Sequence, residues 1–469
     1  MASGTLVACV TLDPASLESL RSGLARISEY LEPKNIVLLL GRSVPDSVLD
    51  RAVERAKSIW RNVDVKKERV GERALRPGAL QEAPSKERIV STLKEACADP
   101  PVTVYISSCS RRQASLVSLA AASVDCPLRI VHGDFYFGPW KGLTYPETPR
   151  IVEPLTVLHG PPLRIEVEDP TIGIRRLQDP LGGGRCPRPA LLRCAVARLT
   201  YLVNTLSLAP GGCRRLRVKL PESVSEIVWN PCSPEDYMKL ASRIEMWLTN
   251  KSAEHRRLNV WEILAWSGLY GLRPERGQDD PSKLLLVDTN LVYYGVHNRV
   301  WEGARIGLPS CALGELSRRL SEAIKRKRRS DAGSLPHVLA YLSMIDMLEA
   351  GAPIVPSPQN VCDLAMPRID PVLLSRVVLA TSDDGAYRYW GLVLPPRTLS
   401  RVKYTVDNTA KPTPGTPLGL ARLTYSAMQL LLAIDLMGVM GIVEERPLII
   451  SEGREEHMPG RWLAEKIGV

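Results

Sequence analysis

Strand-like and helix-like patterns of apolar residues alternate along the first third of the chain. Residues 6–12 and 35–40 (NIVLLL) are short continuous apolar runs that predict buried strands. Between them Leu17, Leu20, Leu24, Ile27 and Leu31 recur at helical spacing, predicting a helix over 15–31. The same reading predicts helices over 45–60, 85–98 and 113–123, and strands over 64–70, 102–107 and 127–131. Strands alternating with helices build parallel βαβ units. Residues 1–145 are therefore expected to form a Rossmann-like parallel sheet, and the fold class expected is α/β.

The pattern changes from residue 146. Pro and Gly are dense over 142–162 and 180–189, including Gly182, Gly183 and Gly184, which predicts loops or linkers. Within 146–280 we expect a buried helix over 190–206, one or two strands over 215–228 and a helix over 258–269. A further helix over 233–248 has Ser233 as N-cap, Pro234 at its first position and Glu235 and Asp236 in its first turn. A winged-helix or dimer-forming module fits this intermediate region. After residue 396 a long helix over 418–437 and a strand over 441–450 read as an extension, 401–469, packed on the domain before it.

The chemistry concentrates in three later segments. Residues 283–290, KLLLVDTN, are a short buried strand ending on Asp288. A carboxylate at the C-terminal end of a parallel strand points into the crevice where α/β proteins bind ligands. Residues 308–316, LPSCALGEL, put Glu315 on an amphipathic helix. Residues 377–384, VVLATSDD, are a β-branched strand running into Asp383 and Asp384. Carboxylates are the oxygen donors that Mg²⁺ and Mn²⁺ prefer. Asn290 either orients the Asp288 carboxylate or caps a helix.

VDTN, a helical Glu after a Pro-led segment and ATSDD at a strand end, in that order, resemble a PIN-domain nuclease over 282–396. The resemblance implies an α/β/α domain over 281–400 that cleaves RNA with Mg²⁺ or Mn²⁺. It implies Asp288, Glu315 and Asp383 as catalytic and metal-binding acids, with Asp384 as a further ligand. It also implies a fourth acid before the last strand. Asp363 and Asp370 are the candidates and Asp370 is preferred, although Pro367 and Pro371 interrupt the expected helix. The run Lys325, Arg326, Lys327, Arg328 and Arg329, with Arg318 and Arg319 before it, follows Glu315. It is read as a single-stranded RNA track against the plainer reading of a solvated face.

In the first domain the segment after the fourth predicted strand is SSCSRRQ, 107–113. Its Ser107, Ser108, Ser110, Arg111 and Arg112 precede a helix, whose N-terminus offers free N–H groups to phosphate. Guanidinium groups add bidentate contacts. The turn after the first strand, Thr11-Leu12-Asp13-Pro14, contains no GxGxxG, which disfavours ordinary dinucleotide binding. This topology with its polar, basic loop resembles a CARF domain, the Rossmann-like sensor of CRISPR-associated proteins. That resemblance implies that Thr11 and the 107–112 loop bind a cyclic oligoadenylate across a homodimer.

The chain has 469 residues, enough for roughly two to four domains. A net charge of +10 favours an anionic partner, with nucleic acid first. Ten cysteines occur singly, with no CxxC or CxxH pair, which argues against a zinc finger; several lie in apolar runs and read as small core residues. The N-terminus has no basic region before its apolar run, and the apolar stretch 428–443 is short for a bilayer span. A cytoplasmic, soluble protein without membrane partners is expected. The combined expectation is a cyclic-oligoadenylate-responsive, metal-dependent endoribonuclease of type III CRISPR defence. The alternatives are an unregulated PIN-like RNA-processing or toxin nuclease, and a nucleotide- or nucleic-acid-binding regulator with a degenerate acidic site.

Overall fold

The computed structural model describes the chain apart from residues 1–3, 42–43, 77–78, 137, 141, 178–190, 211, 224, 275–281, 299–304, 327–330 and 406–414. Two units emerge. One contains Met1–Gly183, Thr200–Arg215 and Asn230–Cys232; the other contains Gly184–Leu199, Leu216–Trp229 and Ser233–Val469. The intermediate region therefore does not form a unit of its own. Its early part continues the first unit, and most of the remainder belongs to the second.

The first unit contains β1 (Thr5–Val10), α1 (Pro14–Ile27), β2 (Asn35–Leu40), α2 (Asp46–Ile59) and β3 (Asp64–Arg69). A hairpin of β4 (Gly71–Arg76) and β5 (Ala79–Pro84) follows, then α3 (Lys86–Ala96), β6 (Val102–Tyr105), α4 (Arg111–Ala121), β7 (Leu128–Gly133) and β8 (Leu155–His159). The main sheet runs β3-β2-β1-β6-β7-β8 and is parallel except for β8. Strands covered on both faces read as continuous apolar runs. Leu6, Ala8 and Val10 of β1 pack among Leu24 and Ile27 of α1, while Val7 and Cys9 face Ile89 and Leu93 of α3. Strand order reverses between β1 and β6, which makes the C-terminal ends of these two strands the ligand-binding crevice of such a sheet.

The second unit begins with β9 (Leu216–Lys219), β10 (Glu226–Trp229), α5 (Pro234–Glu254), α6 (Val260–Trp266) and β11 (Gly271–Pro274). Its centre is β12 (Leu284–Val287), α7 (Thr289–Tyr293), β13 (Arg305–Pro309), α8 (Ser310–Arg326), α9 (Leu335–Glu349) and β14 (Ile354–Val355). These lead into α10 (Cys362–Ala365), α11 (Pro371–Leu374), β15 (Val377–Thr381), α12 (Asp384–Val393) and β16 (Leu399–Thr405). The sheet order is β11-β16-β15-β12-β13-β14; the five strands from β12 to β16 pair in parallel and β11 is an antiparallel edge. This sheet also reverses, at β12, between β13 and β15. One face is covered by Cys311 and Ala312 of α8 and Trp390 of α12, the other by Ala340 and Met344 of α9.

The extension after β16 is α13 (Pro417–Val439), β17 (Leu448–Ser451) and β18 (Arg454–His457). α13 is long and apolar enough to cross a membrane, and nearly all of it is buried against α5, α6, α9 and the last helix, Gly460–Ile467. β17 joins β9 in a small antiparallel sheet, β10-β9-β17-β18. Within this unit Arg446 clamps the buried Asp435 through Nε at 2.8 Å and Nη2 at 2.9 Å.

Several cysteines are core residues, as their apolar surroundings in the sequence suggest, and they are also paired. Cys9–Cys109, Cys97–Cys126, Cys213–Cys232 and Cys311–Cys362 are disulfides, and Cys194 is also bonded; Cys186 lies outside the described residues. Partners up to 100 residues apart in sequence meet only in the folded chain, so spacing carries no sign of the pairing. Thiol titration of denatured, unreduced protein is expected to find at most one free cysteine. Two or more would contradict this framework.

Candidate functional site

The second unit gathers carboxylates at the reversal of its sheet. Asp288 follows the last residue of β12, is 1% exposed and caps α7. Its Oδ1 accepts the Thr289 N–H at 2.6 Å, and its Oδ2 accepts the Thr381 hydroxyl at 2.8 Å and a longer bond from the Asn290 amide at 3.4 Å. Asn290 thus orients the carboxylate, while the cap is Asp288 itself. α7 is a single turn, closed at Gly295 with φ of +68°, where a Cβ would stand 2.6 Å from the Trp266 backbone.

Two threonines link Asp288 to its neighbours. Thr289 donates its hydroxyl to Glu315 Oε2 at 3.2 Å, tying the strand end to α8. Thr381, fully buried at the end of β15, also accepts the Asp383 N–H at 3.0 Å. Asp383 is the N-cap of α12, with its Oδ1 accepting from Gly385 N at 2.6 Å and Ala386 N at 3.0 Å. The strand-terminal threonines were not singled out as site residues, although both lie inside the VDTN and ATSDD segments that carried the signal.

A further carboxylate is electrostatically coupled to this end of the sheet. Burial, with the nearby charges of Asp363 and Glu315, pushes the Asp288 carboxyl up to about 7, against the opposing hydrogen bonds from Thr381 and Thr289. Burial, with the charges of Asp383 and Glu315, likewise raises Asp363. Four acids therefore repel one another across this end of the sheet: Asp288, Glu315, Asp363 and Asp383. The preference for Asp370 over Asp363 is not supported. Asp370, exposed as Asp363 and Asp383 also are, caps the one-turn α11 through a bond from Val372 N at 2.7 Å. Asp384 also stands apart, because its carboxylate forms an ion pair with Arg401.

The donor set fits a hard divalent cation in its chemistry: oxygen ligands only, with Asp288 making no salt bridge to a protein cation among the described residues. It is not a closed cage. Among the described residues no three acidic, histidine or cysteine side chains stand arranged to hold one ion.

The basic track is partly committed elsewhere. Arg318 pairs with Glu322 at 3.5 Å, and Arg319 approaches Glu315 at 3.9 Å and Glu322 at 4.0 Å. Lys325 is exposed near the end of α8, whose last residue is Arg326; Lys327, Arg328 and Arg329 lie outside the described residues. Sequence reasoning did not note the neighbouring pair Tyr293 Oη and His337 Nδ1, 2.7 Å apart on α7 and α9.

In the first unit the expected ligand residues flank the β1/β6 reversal. Ser110 caps α4 in a capping box with Gln113. Ser107 Oγ accepts the Gly133 N–H at 2.6 Å and is thereby engaged. Ser108 is fully buried, and its hydroxyl, like that of Thr11 across the reversal, is buried without a hydrogen-bond partner. Arg111 and Arg112 are exposed on the first turn of α4.

No family model, no curated protein and no solved structure matches this chain.

The raised Asp288 carboxyl gives a signed prediction. A folded-state value above the unfolded one means that this group's contribution to stability is fully present below about pH 4 and is lost as pH rises through about 7. Asp288→Asn removes that titration. The metal-free variant should match or exceed wild type in stability at pH 8, by at most roughly 4 kcal/mol, and the gap should narrow steadily from pH 7 to pH 4. Urea melts across this range test it; a gap independent of pH would mean that Asp288 is not held in a raised state.

Proposed function

We propose that the second unit is a PIN-like, divalent-metal-dependent endoribonuclease and that the first is a CARF-like sensor of a cyclic oligoadenylate. The observation that carries the nuclease reading is the set of four mutually repelling acids at the switch point of a parallel sheet. Uncompensated negative charge around a buried carboxylate is what an incoming Mg²⁺ or Mn²⁺ relieves, and such perturbed groups cluster at functional sites. Asp288, Glu315, Asp363 and Asp383 are the residues that would hold the ion. When bound, it would supply Lewis-acid stabilisation of the phosphodiester charge. Thr289 and Thr381 keep Asp288 and Glu315 oriented. Lys325 supplies positive charge near the end of α8.

The sensor reading is supported by the same topological argument in the first unit. Two unsatisfied hydroxyls, Thr11 and Ser108, flank a strand-order reversal beside the N-terminus of α4 and two exposed arginines. A phosphate there would gain hydroxyl, guanidinium and backbone N–H donors. A two-fold symmetric cyclic ligand suits an isologous homodimer. Ligand can activate cleavage only by binding the active arrangement more tightly than the resting one. A cytoplasmic role in type III CRISPR defence follows from this reading. The unregulated nuclease keeps the acids and lacks the ligand response. The open spacing of the acids favours a further reading, a nucleic-acid-binding regulator without cleavage.

Cleavage of labelled single-stranded RNA in Mn²⁺ decides between enzyme and regulator. Asp288→Asn, Glu315→Gln and Asp363→Asn should each fall to the no-metal background, whereas Asp370→Asn should cleave like wild type. Cleavage by Asp288→Asn at the wild-type rate would sink the nuclease assignment.

Arg111→Ala together with Arg112→Ala should weaken binding of cyclic tri-, tetra- or hexa-adenylate and remove any stimulation of cleavage by them. If wild-type protein binds none of these rings, the sensor reading fails and an unregulated nuclease is the better account.

A further inference from the structure

We infer that the Cys311–Cys362 disulfide is a positioning element of the acid cluster, fixing the helix turn that carries Asp363 against the helix that carries Glu315. The inference rests on the acid cluster being the functional site and adds two residues to it.

Cys311 is the second residue of α8, and Glu315 lies one turn further along the same helix. Residues four apart share a helix face. Cys362 immediately precedes Asp363 in α10, which is four residues long. A single turn cannot hold itself in place, because the cost of nucleating it is not recovered by so few hydrogen bonds. α10 therefore takes its position from what it is attached to. Cys362 is 1% exposed and bonded to Cys311, also 1% exposed, inside one apolar cluster with Ala365, Met366 and Trp390. The Trp390 indole N–H donates to the Asp363 carbonyl at 2.9 Å. At the other end of the same link, Ser357 latches the approaching loop to the start of α8: its hydroxyl accepts the Cys311 N–H at 2.8 Å, and its own N–H donates to Ser310 Oγ at 2.9 Å. The disulfide is thus the covalent member of a clamp that joins two acids whose charges repel. Repulsion favours separation, and the cross-link opposes it.

A disulfide can also act merely by restraining the unfolded chain, with no consequence for the site. The two roles differ in what they move. Loss of a positioning link should weaken ion binding at temperatures where the protein is fully folded, as loss of supporting groups around metal ligands generally does. Loss of a purely stabilising link should lower the unfolding temperature and leave ion binding alone.

The test is Mn²⁺ affinity of the full-length protein, read by electron paramagnetic resonance of free Mn²⁺, well below the unfolding temperature. Cys311→Ala with Cys362→Val keeps the space filled by apolar atoms. It is expected to bind Mn²⁺ about 10- to 100-fold more weakly than wild type. Cys213→Ala with Cys232→Ala, in the other unit, is expected to bind as wild type does. Wild-type protein treated with dithiothreitol supplies the same comparison without substitution: the dithiol forms its cyclic disulfide as each protein disulfide gains two electrons and two protons. Affinity should fall on reduction and return on reoxidation, and the Cys311/Cys362 variant should show no such change. Equal Mn²⁺ affinity in wild type, the site variant and reduced protein overturns the positioning role while leaving the nuclease reading intact. Absence of Mn²⁺ binding by oxidised wild-type protein overturns the acid-cluster reading and the positioning role with it.

Discussion

Burying the Asp288 carboxylate at the end of a parallel strand is the constraint around which the second unit is arranged. A buried charge without a cationic partner is costly, and a protein usually pairs it or neutralises it. Among the described residues Asp288 has neither an arginine nor a lysine as partner. It is held by one hydroxyl, one backbone N–H and one amide, while further carboxylates stand near enough to raise it. A fold under selection for stability alone would replace this group with an apolar or neutral residue of similar size. Its presence there, held by Thr289 and Thr381, is the physical reason for the proposed functional reading. The contrast lies within the same unit: Asp435 is equally buried, and there Arg446 supplies a bidentate partner.

The two sheets solve the same geometric problem. In each, the chain starts at a central strand, winds to one edge and returns to the other side of its starting strand. The reversal leaves a crevice that no connection crosses, flanked by two strand ends and two helix starts. Side chains at those positions are supported by the sheet and lie beside the reversal. Asp288 and Asp383 occupy the pair of positions in one sheet; Thr11 and the 107–112 loop occupy them in the other. That correspondence rests on topology and requires no similarity of residues.

What was legible in the sequence follows from how local each signal is. The strand at Asn35–Leu40 coincides with its apolar run, and the helices of the first unit fall within a few residues of their predicted bounds, because apolar periodicity and caps such as Ser110 are local. Asp288, Glu315 and Asp383 were visible for the same reason, each sitting at the end of a strand or on an amphipathic helix. The choice between Asp363 and Asp370 was not local. The two acids are seven residues apart among prolines. What separates them is a turn of helix bonded to α8 and a tryptophan donating to the Asp363 carbonyl, contacts across 51 and 27 residues. β8 and the β4–β5 hairpin were missed for related reasons: LTVLH lies inside the Pro- and Gly-dense stretch 142–162 that reads as loop, GERALR carries little apolar alternation, and the pairing of both is decided by partners. The division of residues 146–280 between two units was equally hidden, since the segments that join β9 to β17 lie more than 200 residues apart.

The disulfides bear on where such a protein can work. Nine described cysteines are bonded, and a reducing mesophilic cytosol opposes that state. Intracellular disulfides are, however, characteristic of proteins from hyperthermophiles, where a cross-link resists the growing entropic advantage of the unfolded chain. The proposed cytoplasmic nuclease and the nine bonded cysteines among the described residues are compatible in that setting. The placement of the bonds is more telling than their number. Cys9–Cys109 ties β1 to the loop that holds Ser108 and Ser110, and Cys311–Cys362 ties the helices that hold Glu315 and Asp363. Polar, mutually repelling or unsatisfied groups cannot be held by apolar packing of their own, so the rigidity of a site made from them has to come from its neighbours. In both units a covalent bond stands one to four residues from the groups that need it.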